Sequence, residues 1–296
     1  MGKSTLWRRT PAGIMAPRGV SVGHQVTYLK AKEKAVAVEN LYASRNIRLP
    51  ARCGLAILIE AAKAALDAWL TGKERSLSAA QFYQTIHLDR VADGLLSGLI
   101  GDHHTTQEAL RRLTNGSLSL WDRKESPAKD VLWELELNAL FNRMSIPATL
   151  KEPPDIMLNL DNPQVGVTCK KVYSDKHFSN TLSKGVSQLA GDSSIFGIVA
   201  VNLDDNLPAN TIRVATDPES PFQQTNLQFI EKHRHRFLKY LQQHRVTAIL
   251  VSTAGIVYGT DGVANMYRGT TVRALQTLPD EHIAVLEQIR TKLAAN

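Results

Sequence analysis

Glu134 and Glu136, a Pro154-Asp155 pair, the triplet Thr168-Cys169-Lys170 and Gln188 follow one another within a single stretch of the chain. Carboxylates suit a hard divalent cation such as Mg2+, which takes oxygen from one or two acids, a backbone carbonyl and waters. Such an ion lowers the pKa of a bound water and neutralises charge on a phosphate. A lysine beside it can orient the attacking water or stabilise the transition state.

The local pattern suggests how these residues are placed. From Val131 to Met144 the apolar residues Leu132, Leu135, Ala139 and Leu140 recur at helical spacing without Gly or Pro, with Ser126 or Asp130 able to cap the start and Pro147 beyond the end. Residues two apart on a helix lie about 200° around it, so Glu134 and Glu136 cannot both face one ion. Ile156, Leu158 and Leu160 alternate, a turn cluster follows at Asp161-Asn162-Pro163-Gln164, and a second run continues from Val165 to Val172. This predicts a β-hairpin with Thr168 and Lys170 on one face and Asp155 opening the neighbouring strand. Each residue also has a plain structural use: a solvated helix face for the glutamates, a turn for Asp155, strand propensity for Thr168, edge protection for Lys170 and Lys171, and a helix surface for Gln188.

The order of these residues resembles the PD-(D/E)XK nuclease superfamily, and the Lys184 to Gln188 segment is similar to the Gln-bearing helix of its Mrr-type restriction endonucleases. The resemblance runs from about Lys129 to Leu275 and takes in an apolar strand from Ile195 to Val201. It departs at the most diagnostic position, where Thr168 stands in place of the second acid. The resemblance implies that Glu134, with Glu136 as alternate, and Asp155 bind Mg2+ or Mn2+, that Thr168 and the Cys169 carbonyl are further ligands, that Lys170 is catalytic, and that Gln188 positions water or substrate. It implies an α/β restriction-endonuclease-like mixed sheet flanked by helices, and a metal-dependent endonuclease acting on DNA in restriction, antiviral defence or repair. The alternative is a catalytically degenerate subunit of the same fold that binds nucleic acid or mediates assembly. A protein-interaction module is a third class.

The formal charge of +7 and pI near 9.4 favour a polyanionic partner, DNA first and RNA second. Two cysteines, Cys53 and Cys169, are too few for a disulfide framework and suit a reducing, cytoplasmic setting. No segment is apolar for long enough to span a membrane. Homo-oligomers or a partner subunit are compatible with the composition. A flexible leader is expected over residues 1–27, an all-helical domain over 28–125 and the nuclease-like domain over 126–296. Helices are expected at Lys30 to Ser44, Ala51 to Leu70, Ser78 to Gln84, Asp89 to Leu99 and Thr105 to Leu113. Farther on, a basic helix spans Asn226 to Arg245, strands cover Val246 to Ser252 and Gly255 to Tyr258, and a helix starts near Pro279.

Overall fold

In the computed structural model of the protein the described residues are 7–9, 14–17, 20–24, 28–73, 76–160, 164–189, 196–207, 213–214, 220–243, 246–258, 264–275, 278 and 280–294. Asp161, Asn162, Pro163, Ile195, Arg245 and Pro279, to which turns or element ends are assigned above, lie outside them.

The helix that carries both glutamates sits at the centre of the packing. Helices α1 (Tyr28–Ser44), α2 (Gly54–Leu70), α3 (Ala79–Gly98) and α4 (His103–Leu113) come before it in the chain. Helix α5 (Pro127–Arg143) begins with Pro127, whose fixed φ suits a first helical position, and carries Asp130 in its first turn and Arg143 in its last, charges that complement the helix dipole. Almost every residue from Ala128 to Phe141 is buried, including Glu134, Glu136 and Asn138. A helix covered on all sides has to find partners for its polar groups.

Helix α3 supplies one side of that cover. Sequence spacing predicts two short helices here; Ser78 and Gln81 form a capping box and a single helix runs on to Gly98. A methyl group at Gly98 would lie 2.0 Å from the Leu135 carbonyl oxygen and one at Gly94 would lie 2.9 Å from Glu136 Cγ. The two glycines therefore let α3 and α5 meet closely, and Asn138 Nδ2 donates to the Gly98 carbonyl at 2.8 Å. Gly98→Ala is expected to cost about 3 kcal/mol, at the upper end for overpacking because the obstacle is backbone. A urea midpoint that does not move would show that α3 can slide.

Strands β1 (Trp7–Arg9), β2 (Ile14–Pro17) and β3 (Val20–His24) precede the helices. After α5 come β4 (Ala148–Leu150), β5 (Ile156–Leu158), β6 (Val165–Lys171), a 3-10 turn at Asp175–His177, α6 (Phe178–Leu189), β7 (Phe196–Asn202), a second 3-10 turn at Asp204–Asn206, β8 (Arg213–Val214), α7 (Ser220–Lys232), α8 (Arg234–Leu241), β9 (Ala248–Tyr258), β10 (Ala264–Leu275) and α9 (Asp280–Ala294). The main sheet has the order β4-β5-β6-β7-β9-β10 and is mixed: β6, β7 and β9 are parallel and the outer pairings are antiparallel. The expected hairpin forms, with Ile156 opposite Val167 and Leu158 opposite Val165. The chain is thus an α/β protein whose sheet is flanked by helices.

Three expectations need correcting. The segment assigned to a flexible leader contributes strands, β2 and β3 pairing with β10 and β1 with β2. The two strands expected near 246–258 are one long strand, and the basic helix is split into α7 and α8 at His233. Strand β10 has no counterpart in the sequence reading. A single cluster of buried apolar side chains extends from Ala31 in α1 to Ile289 in α9, so the helices and the sheet share one core.

Candidate active site

A cleft of about 1070 Å3 opens between α4, α5, the start of β5, the end of β6 and α6. Glu134, Asp155, Cys169, Lys170 and Gln188 all line it. Asp155 stands just before β5 and is buried; its Oδ2 accepts the Cys169 backbone N–H at 2.5 Å and lies 3.4 Å from Lys170 Nζ. The hairpin register brings this about, because it sets the start of β5 beside the end of β6.

Glu134 enters from α5. Its carboxylate is held by both arms of Arg112 from α4, Nη2 to Oε1 at 2.8 Å and Nη1 to Oε2 at 3.2 Å. Burial and the nearby Asp155 push the Glu134 pKa well above the usual carboxylate range, and Arg112 pulls it part of the way back. Two acids from separate elements therefore press on one another at the cleft wall. A cation between them would relieve that repulsion.

The remaining predicted residues are placed differently from one another. Thr168 is wholly buried, and a methyl group at Gly185 of α6 would lie 3.2 Å from both its hydroxyl and Lys170 Cγ. Thr168 and Lys170 thus share the face that α6 covers, while Thr168 itself is absent from the cleft lining. Its hydroxyl and the Gln188 Oε1 are buried polar atoms without a hydrogen-bond partner among the described residues. The Cys169 thiol is pushed up by burial and by Asp155, which suits an inert side chain.

The alternate ligand role given to Glu136 does not fit. Its carboxylate turns away to Arg90 of α3 and Arg268 of β10, which hold it as ion pairs. Arg90 also pairs with Asp204, whose other oxygen accepts the Ala254 N–H at 2.7 Å. Burial alone would raise the Glu136 pKa, but Arg268 and Arg90 outweigh it and bring it to about 2. This network neutralises the buried Glu136, while Lys129 of the same helix pairs with Asp205 at 2.7 Å.

The shifted groups here act in opposite directions: Glu134, with its pKa raised to about 8 by burial and Asp155, gains stability as pH falls towards the ordinary carboxylate value near 4.5. Glu136, with its pKa held low, adds stability that is present above the ordinary carboxylate value near 4.5 and is lost as pH falls towards about 2. His87 is buried and held to about 4, so its protonation in the unfolded chain begins to count below about 6.5. The His87 loss and the Glu134 gain oppose one another between about pH 6.5 and 4.5, so the net fall in stability is expected below about pH 4.5, where Glu136 loses its contribution. Urea midpoints that do not fall between about pH 4.5 and 3 would contradict the Glu136 assignment.

Sequence reasoning missed Arg112 as the partner of Glu134. It also missed Lys171, which pairs with Asp205 at 2.9 Å and donates to Asn202 at 2.7 Å. Tyr173, donating to Asp130 at 2.8 Å, closes the α5 side of the cleft. Among the described residues no group of three or more His, Cys, Asp or Glu side chains is gathered as a metal site. What the cleft offers is the Glu134 and Asp155 carboxylates beside Lys170, with the cationic side chains of Arg112, Lys151, Lys171 and Lys184 and further acids, Glu108, Glu125, Asp130 and Glu152, on the same lining. Comparison of the chain with family models, with curated proteins and with solved structures returns no match.

Proposed function

We propose that this cleft hydrolyses phosphodiester bonds of DNA with the help of Mg2+ or Mn2+. The observation that carries the reading is the meeting of Asp155 and Lys170 at 3.4 Å in a cleft that Glu134 also lines. The succession of α5, the β4-β5-β6 meander, α6 and the parallel strand β7 supports it, being the order expected of a restriction-endonuclease-like core.

Glu134 and Asp155 would hold the ion, with the Cys169 carbonyl and waters completing its shell; two carboxylates suffice for a Mg2+ that keeps several waters. When bound, the ion lowers the pKa of a water and draws charge from the phosphate. Lys170 sits where an ammonium can hold the attacking water or a phosphate oxygen. Arg112, Lys151 and Lys184 offer cations for the flanking phosphates. Gln188 presents an unpartnered carbonyl oxygen that can accept from water. Incubating supercoiled and linear DNA with the protein in Mg2+, Mn2+ or EDTA tests the proposal, with nicking in metal and none in EDTA as the expected result.

A second reading rests on Arg112. Its guanidinium fork occupies both oxygens of Glu134, and Thr168 brings no charge to the cleft. On that reading the fold binds nucleic acid without cutting it. Salt-dependent DNA binding with no metal-dependent cleavage would select it.

A further inference from the structure

The tight turn between β4 and β5 carries a second acid into the cleft. Leu150 and Ile156 pair across that hairpin and the Lys151 N–H donates to the Asp155 carbonyl at 3.1 Å, so residues 151–155 form one closed turn. Asp155 leaves the end of this turn as a buried side chain. Glu152, three residues earlier, lines the same cleft with 61% of its side chain exposed. Nothing in the reading of the cleft so far uses it.

Arg112 shows where Glu152 stands relative to the other acids. Its guanidinium holds both oxygens of Glu134, and its Nη1 lies 3.9 Å from Glu152 Oε2. Asp155 acts electrostatically on the same group. One positive charge therefore stands among three carboxylates, one from α5 and two from the β4-β5 turn. With the guanidinium between them the three do not meet, and the set closes only when Arg112 gives up its place. A hard divalent cation draws more from three carboxylates than from Glu134 and Asp155 alone, because affinity rises with the charge of the ligand set. The remaining acids of the lining are engaged elsewhere. Asp130 accepts the Tyr173 hydroxyl at 2.8 Å, Glu125 acts on Asp130, and Glu108 stands 4.0 Å from Arg111.

We propose that Glu152 is the third carboxylate of the divalent-cation site, joining Glu134 and Asp155 at the place that the Arg112 guanidinium fills. The inference rests on the metal-dependent reading of the cleft. Arg112, whose side chain is 28% exposed, is thereby released towards a phosphate oxygen. Binding of Mn2+ to the full chain without DNA, followed through the paramagnetic resonance of the free ion, tests the role of Glu152 apart from any cleavage. The wild type is expected to take up one Mn2+ per chain. Glu152→Gln, a change at an exposed side chain that spares the core, should weaken that binding about tenfold, as a charge leaves the ligand set. Glu108→Gln removes the same charge from the same lining and should alter the affinity less than about twofold, because an exposed carboxylate away from the ion is screened by salt. Wild-type affinity in Glu152→Gln, or an equal loss in Glu108→Gln, would overturn the role of Glu152 and leave the metal reading standing. No uptake by the wild type at about 1 mM Mn2+ would overturn both.

Discussion

Arg90→Ala is expected to destabilise the protein by about 3–5 kcal/mol, the loss typical of removing one partner from a buried charged set. Arg90 is buried between Glu136 and Asp204 and pairs with both. Burial alone would lower the pKa of Arg90, but those two carboxylates raise it instead. Without it, Asp204 keeps the Ala254 N–H but has no positive partner of comparable closeness, and Glu136 keeps only Arg268. Replacing Arg90, Glu136 and Asp204 together with apolar residues of similar volume is expected to be much milder, because it also removes the charges that need solvating. Denaturant titration of both variants distinguishes the cases. A loss below about 1 kcal/mol for Arg90→Ala would mean that water reaches the carboxylates.

Asp155→Ala carries the largest expected effect on activity. It removes a carboxylate from the proposed ion and leaves Lys170 without its anionic neighbour, so cleavage should fall at least about a hundredfold. The variant also strands the Cys169 N–H in a buried position, a stability cost of about 1–3 kcal/mol. Binding to DNA at low salt should persist or tighten slightly, since a negative charge has left the cleft proposed to meet phosphates. Cleavage at the wild-type rate by a folded Asp155→Ala protein would place the chemistry elsewhere.

How much of this could be read in the sequence depends on how local the cause was. The hairpin was legible because the alternation of Ile156, Leu158, Val165 and Val167 and the turn between them are adjacent in the chain. Helix α5 was legible for the same reason, through its apolar spacing, although it starts at Pro127 rather than Val131 and the Ser126 side chain makes no capping hydrogen bond. Its complete burial was not, because periodicity reports one apolar stripe and the cover on the other side comes from Gly94 and Gly98. The fate of Glu136 was beyond reach: its partners lie 46 and 132 residues away. Strand β10 carries no period-two pattern to read, since Arg268, Gly269, Thr270 and Thr271 make up its middle. For Thr168 the alternation gave the face, and only the approach of Gly185 reveals that α6 closes over it.

The backbone contact at Gly98 ties the position of Glu134 to a helix that belongs to no strand pairing. Any opening that lifts α3 away also frees α5 to rotate, so the two acids of the cleft would lose their separation before the sheet itself came apart. Amide protons of α3 and α5 are therefore expected to exchange with solvent as one cooperative unit, with a protection free energy below that of β7 and β9, where both neighbours are strands. The geometry of the cleft would then be governed by a partial unfolding equilibrium seated in the helices, with ligands and mutations at α3 able to tune it from a distance.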